Sequence, residues 1–156
     1  MIIVGFPGIG KSWLASMSMM TIDLESSMMS VDGKRPDEWV KIYVNIAIDL
    51  SKQGKNVFVS SHKAVRDELE MRDEEALYIY PSLSLKDEWI AMLKRRYERT
   101  KLEKDLKALN YMGEHYEEAV KDMMDNAKER FIELNETPES YYDRCMWKEW
   151  KEKLHL

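Results

Sequence analysis

The strongest constraint on this chain is a run of eight residues close to its start, residues 5–12 with the sequence GFPGIGKS. The run matches the phosphate-binding loop pattern G-x-x-x-x-G-K-[ST] at every fixed position. The apolar residues 1–4 before it predict a buried strand, and residues 13–17 after it continue as a helix. A strand, a glycine loop and a helix in this order form the setting in which such a loop binds phosphate. The competing interpretation is an ordinary glycine-rich turn.

Each residue type in the loop has a physical reason. Glycine reaches backbone angles that other residues avoid, which lets consecutive amides turn toward phosphate oxygens, and the positive end of the next helix adds to their field. Lys11 is expected to contact the β- and γ-phosphates of ATP, and Ser12 to bind Mg²⁺. The residues predicted to hold the nucleotide are Gly5, Pro7, Gly8, Ile9, Gly10, Lys11, Ser12 and Trp13.

Length, composition and net charge limit the kinds of site, partner and location that this chain is expected to have. The 156 residues suffice for one domain with its own core, and we expect residues 1–156 to form a single domain. One cysteine, Cys145, excludes an internal disulfide, and with three histidines it argues against a structural zinc site. The net charge of −5 argues against nucleic acid as the main partner. With no membrane-spanning run or signal peptide, we expect a cytoplasmic location.

The alternation of strand-like and helix-like segments predicts an α/β fold, with helices on both faces of a parallel sheet. Strands are predicted over residues 2–5, 21–24, 56–60, 76–80 and 131–134. Helices are predicted over residues 11–19, 37–53, 63–71, 85–99 and 116–128, with a last one that begins at Pro138. Residues 56–60 are apolar almost throughout, which is typical of a strand at the centre of a parallel sheet.

Acidic side chains end the second predicted strand. Asp23 and Glu25 lie where ligands gather in open parallel sheets, so either carboxylate could hold Mg²⁺ or accept a proton from an attacking hydroxyl. They could equally be ordinary strand-end acids. The third strand ends in Ser60, Ser61 and His62, without the aspartate that usually binds magnesium there. Either Asp23 substitutes for it, or the metal is held less firmly; His62 could contact a ligand or only form a local hydrogen bond.

Arginines supply the remaining candidate residues. Arg66 follows His62 by about one helical turn, so its side chain could face the same crevice. Arg95 and Arg99 are four residues apart on one predicted helix and could fold over a triphosphate to neutralise the transferred phosphoryl group. The alternative is a solvated charged face, and Arg96 is ambiguous because it lies near the apolar stripe.

The loop with Pro7 resembles the G-x-P-G-x-G-K-[ST] form of adenylate-kinase-like small-molecule kinases. Residues 22–27, IDLESS, and residues 57–62, VFVSSH, are similar to segments of small phosphate-loop kinases encoded by bacteriophages. The Tyr80-Pro81 pair, followed by a helix with Arg95 and Arg99, is also similar to a segment of these kinases. The resemblance covers residues 1–100 closely and the rest loosely.

This resemblance implies a five-stranded parallel sheet of order 2-3-1-4-5, with ATP and Mg²⁺ as cofactors. It implies transfer of the γ-phosphoryl group to a nucleotide or nucleoside, and a host cytoplasmic location if the chain is viral. Lys11 and Ser12 would bind phosphate and metal, and Asp23 would lie near the acceptor or the metal. Arg66 would hold the acceptor phosphate, and Arg95 and Arg99 would act as lid arginines in a short lid-like segment around residues 81–100.

Two functions of different classes follow. The first is a nucleotide kinase with Lys11, Asp23, Arg66, Arg95 and Arg99 as catalytic residues, Ser12 and Asp23 as metal ligands, and a small-molecule nucleotide as acceptor. A variant of it phosphorylates a nucleic acid end or another hydroxyl compound. The second is a catalytically weak nucleotide-binding module that acts through a protein partner, either a second copy or a host protein. The absent aspartate on the third strand and the methionine-rich composition motivate the second.

Overall fold

The predicted alternation of strands and helices is confirmed in the computed structural model, which describes residues 1–139. Five parallel strands form one sheet in the order β2-β3-β1-β4-β5, as expected. The strands are β1 (Ile2–Gly5), β2 (Thr21–Asp23), β3 (Asn56–Ser60), β4 (Ala76–Pro81) and β5 (Phe131–Leu134). The first strand therefore lies in the middle of the sheet, and the glycine loop leaves from its carboxyl end.

Helices pack on both faces of this sheet. They are α1 (Lys11–Ser16), α2 (Trp39–Lys52), α3 (Lys63–Met71), α4 (Lys86–Thr100) and α5 (Glu103–Ala127). Short 3-10 turns occupy Ser26–Met29 and Leu83–Leu85. Helix α2 packs along α3 and β3, α5 packs along α4 and β4, and α1 contacts β2.

The central strands β1 and β3 are buried along nearly their whole length, which explains why residues 2–4 and 57–59 are all apolar. Their carboxyl ends are aligned, because Gly5 pairs in register with Ser60 of β3 and with Ile79 of β4. Asp23 of β2 pairs with Phe58, two residues before that end. The loop after β1 and the polar residues after β2 and β3 consequently meet at one edge of the sheet.

Two helices differ from the sequence-based expectation. Helix α5 begins at Glu103 and not near residue 116, because a bend at His115 (φ −121°, ψ 15°) divides one long helix and interrupts its apolar periodicity. Helix α1 ends at Ser16, three residues early, because the chain turns back at once into β2. The helix predicted from Pro138 extends into residues 140–156, outside the described part of the chain.

Within residues 1–139, every helix falls short of the combination of length and apolar character that crossing a membrane requires.

Candidate functional site

The glycine loop is held in shape by contacts from β4 and α4. The Phe6 amide donates to the Ile79 carbonyl at 2.9 Å, and Trp89 Nε1 donates to the Pro7 carbonyl at 3.0 Å. Gly8 and Gly10 have φ of 95° and 86°, a region in which side chains with a Cβ are strained. A Cβ on Gly5 would come within 2.7 Å of Ile9 Cδ1 and 2.9 Å of Lys11 Cδ. Glycine is therefore required at these positions by the geometry of the loop itself.

Lys11 folds back over the loop that precedes it. Its Nζ donates to the Gly5 carbonyl at 2.9 Å. The pKa of Lys11 is lowered to about 8, mainly by burial; Asp23 and, less strongly, Glu25 oppose the shift, and the charge of Arg96 contributes to it. The Lys11 ammonium thus loses hydration without enough negative charge nearby to compensate for it. An anionic ligand would supply that charge.

Ser12 and Asp23 form the contact at the centre of the site. Ser12 Oγ donates to Asp23 Oδ2 at 2.6 Å, joining the start of α1 to the end of β2. The second carboxylate oxygen, Asp23 Oδ1, is buried and has no hydrogen-bond partner among the described residues. A buried oxygen in that state is uncommon and would be satisfied by a hydrogen-bond donor, an ordered water or a cation. Residues 1–139 hold no cluster of three or more His, Cys, Asp or Glu side chains that could bind a metal ion.

The end of β3 is tied to the end of β2 by Tyr43, a buried residue of α2. Its hydroxyl donates to the Leu24 carbonyl and accepts from the Ser60 amide, and burial raises its pKa. Ser60 Oγ lies 2.6 Å from His62 Nδ1. Burial, followed by the charges of Arg35 and Lys11, lowers the pKa of His62, which favours a neutral imidazole near pH 7.

An aromatic and cationic group that the sequence interpretation missed lies beside these residues. The Arg35 guanidinium is 4.4 Å from the centroid of the Trp39 ring and donates to Ser26 Oγ at 3.1 Å. The Trp39 ring meets the His62 ring edge-on at 6.1 Å. An arginine in a loop before a helix belongs to no recognisable sequence motif. The one signal in the sequence for this contact is that Arg35 and Trp39 are four residues apart.

Arg66 is buried between α3 and α5. Its guanidinium donates to the Ser61 carbonyl at 3.1 Å, to the Asp122 carbonyl at 2.9 Å and to the side chains of Asp122 and Asn126. These contacts give Arg66 a structural role that links the two helices. Its role in binding an acceptor phosphate stays a prediction.

The arginines of α4 face different ways. Arg95 pairs with Glu139, and Arg99 is exposed. Arg96, in contrast, has its Nε 2.9 Å from Asp105 Oδ1. Of the three, Arg96 is the one whose charge acts on Lys11. Arg96 is therefore the arginine of α4 whose charge contributes to the lowered pKa of Lys11, while the lid roles of Arg95 and Arg99 stay predictions.

A second cation reaches the site from α5. Lys104 Nζ donates to Glu25 Oε1 at 3.1 Å, and this contact is the main reason that the pKa of Glu25 is lowered. Lys11 and Lys104 therefore lie close to Asp23 and Glu25, and the charge of Arg96 also acts on Lys11, in a chain whose net charge is −5. Such a concentration of cations in an acidic protein is suited to an anionic ligand.

The chain matches no protein-family model, and no curated protein is significantly similar to it.

Proposed function

We propose that this protein is an ATP-dependent kinase that transfers a phosphoryl group from Mg·ATP to a nucleoside monophosphate or deoxynucleotide. The observation that carries the proposal is the Ser12–Asp23 contact next to Lys11, with a buried Asp23 oxygen that has no partner among the described residues. A buried carboxylate oxygen costs free energy unless a donor or cation satisfies it. The glycine loop supplies the phosphate cradle next to that oxygen.

The donor set fits magnesium, a hard cation that prefers oxygen ligands and keeps several waters. Ser12 Oγ and Asp23 are the side chains that would hold the ion, with Asp23 binding directly or through water. When bound, Mg²⁺ would neutralise part of the negative charge that develops on the phosphates during transfer. The carboxylate on β2 would thereby replace the aspartate that β3 lacks.

The remaining work of the chain is positioning and charge neutralisation. Lys11 would exchange the Gly5 carbonyl for phosphate oxygens, which would compensate its desolvated ammonium. Arg96 would add a second positive charge close to Lys11. Both cations would stabilise negative charge on the transferred group more in the transition state than in bound ATP.

The acceptor would lie at the carboxyl ends of β2 and β3. Arg35, stacked on Trp39, provides a cation and an aromatic surface there. If the acceptor is a monophosphate, its ionised oxygen forms the new bond to the γ-phosphorus, the bond to the β-phosphate oxygen breaks, and ADP leaves without need of a base. A hydroxyl acceptor would also need a group to take its proton, and Glu25, kept ionised by Lys104, is the candidate.

The test is ADP release from Mg·ATP with a panel of ribo- and deoxynucleoside monophosphates and nucleosides, with wild type beside Lys11→Ala. Lys107→Ala is the matched control, since Lys107 is exposed and pairs only with Glu103 on its own helix among the described residues. We expect turnover with a monophosphate that is lost by at least about 1000-fold in Lys11→Ala and unchanged in the control. Turnover that survives in Lys11→Ala contradicts the mechanism.

One observation favours the second function, a nucleotide-binding module with a protein partner. Methionines around the α1–β2 connection and the following turn are exposed, with Met19 at 94% and Met28 at 67%. Flexible exposed methionines are typical of adaptable binding surfaces. This function predicts ATP binding without acceptor-dependent ADP release, so the same panel distinguishes the two.

A further inference from the structure

Asp105 has an unusual position for an acidic residue. It lies in the first turn of α5 and is 4% exposed, and it is the one buried carboxylate among residues 1–139. A buried carboxylate is costly unless cations or donors satisfy it. The partners that satisfy Asp105 therefore indicate what it does.

Both partners come from the last turns of α4. Arg96 Nε lies 2.9 Å from Asp105 Oδ1, and Thr100 Oγ1 donates to Asp105 Oδ2 at 2.5 Å. A tight turn fixes the two helices relative to each other, with Lys101 at φ 53° and the Leu102 amide donating to Thr100 Oγ1 at 3.3 Å. Each carboxylate oxygen thus has one partner, and the turn leaves the pair little freedom.

The contact with Asp105 engages Arg96 through Nε. No partner is described within residues 1–139 for the Nη amino groups of Arg96, whose side chain is 36% exposed. These two groups carry four of the five N–H donors of a guanidinium, in a planar fork that suits phosphate. Arg96 follows by about one helical turn the two residues of α4 that pack on the glycine loop, since a Cβ on Gly8 would lie 3.0 Å from Met92 Cε and 3.2 Å from Leu93 Cδ2. Its positive charge also acts on Lys11.

We propose that Asp105, with Thr100, is a positioning residue that holds the Arg96 guanidinium beside the glycine loop, so that its Nη groups meet the terminal phosphate of the bound triphosphate. This inference rests on the proposed function. Fixing the side chain in the free protein removes the entropic cost of ordering it when the ligand binds. Asp105 would therefore favour ATP over ADP without touching either nucleotide.

The experiment measures dissociation constants of Mg·ATP and Mg·ADP by titration calorimetry. Asp105→Asn and Arg96→Ala should each weaken ATP about tenfold and change ADP less than about twofold, because only ATP has the phosphate that Arg96 meets. The double variant should lose no more than Arg96→Ala alone, since Asp105 acts through Arg96. Lys94→Ala, an exposed cation on the same helix, should change neither constant by more than about twofold.

Equal losses of affinity for ATP and for ADP in Asp105→Asn would give Asp105 a purely structural role and overturn the inference. It would also be overturned if the losses of ATP affinity in the two single variants added up in the double variant. If Asp105→Asn does not fold, Thr100→Val, which nearly preserves volume, should still weaken ATP about threefold and spare ADP. If the ratio of the ATP and ADP dissociation constants in Thr100→Val equalled that of wild type, the inference would be overturned. If wild type binds neither nucleotide, the proposed function fails; if it binds both and the ratio is insensitive to Asp105, only this inference fails.

Discussion

Arg66 is buried and the Lys11–Asp23 pair is partly buried, and these charged groups differ in how well they are satisfied. The guanidinium of Arg66 donates to two carbonyls and to the side chains of Asp122 and Asn126. Lys11 has a lowered pKa with a single carbonyl as acceptor, and Asp23 Oδ1 has no partner among the described residues. The first arrangement stabilises the fold, whereas the second is the one that would bind the ligand under the proposed function.

The largest expected effect on stability belongs to Arg66. Arg66→Ala should lower the free energy of unfolding by about 2–3 kcal/mol, because it removes a buried guanidinium and leaves the partly buried carbonyls of Ser61 and Asp122 without a donor. Denaturant unfolding measures this. Lys63→Ala on the same helix is the control and should cost less than about 1 kcal/mol, since the Lys63–Asp67 pair is exposed. A loss below about 1 kcal/mol in Arg66→Ala would break the comparison.

Lys11 predicts a pH dependence of stability. Its pKa falls from 10.5 to about 8 on folding, so between these values the unfolded chain binds more protons. The free energy of unfolding should therefore rise as pH increases from about 8 toward 10, by up to about 3 kcal/mol. Lys11→Met should remove this rise, which pH-dependent denaturant unfolding of both proteins would reveal. Parallel pH profiles for the two would contradict the desolvated ammonium.

Asp23 predicts the magnesium dependence of nucleotide binding. Asp23→Asn keeps the shape of the side chain and removes its charge, so the gain in ATP affinity on adding Mg²⁺ should fall about 10- to 100-fold. Titration with ATP in the presence of Mg²⁺ or of EDTA measures the gain. Asp67→Asn, an exposed acid on α3, serves as control. A magnesium effect of wild-type size in Asp23→Asn would remove Asp23 from the metal site.

The smallest effect concerns the contact between Lys104 and Glu25. Both side chains are partly exposed, at 55% and 39%, so Lys104→Ala should change the free energy of unfolding by less than about 1 kcal/mol. Denaturant unfolding at low and high salt measures the change. A loss above about 2 kcal/mol would show that this contact belongs with Arg66 as a structural link.

Much of the fold could be predicted from local patterns. The bounds of β1, β3, α3 and β5 agree with the sequence-based expectation, because apolar runs and capping signals determine these elements. Helix α5 was recognised only in its second half, since the bend at His115 breaks the periodicity. Lys11, Ser12 and Asp23 were expected at one edge of the sheet, and the structure brings them together.

The rest of the site depends on tertiary contacts that no local pattern encodes. Spacing along α3 suggested that Arg66 faces the crevice, but Asp122 and Asn126, more than 50 residues away, hold its guanidinium. Arg96 is ambiguous in sequence because it lies near the apolar stripe, and the contact that orients it depends on a positive φ at Lys101 and on the burial of Asp105. The orientations of the Arg66 and Arg96 side chains are therefore determined by packing between elements.

The central claim is that Lys11 and Asp23, whose charges are incompletely satisfied, bind Mg·ATP, and that the fully satisfied Arg66 does not. The most direct measurement is the shift in melting temperature with saturating Mg·ATP for wild type, Lys11→Ala and Arg66→Ala. Binding to the folded state alone raises stability by RT ln(1 + [L]/Kd). We predict a shift in wild type, none in Lys11→Ala, and a shift of wild-type size from a lower starting temperature in Arg66→Ala. No shift in wild type, or a full shift in Lys11→Ala, would contradict the account.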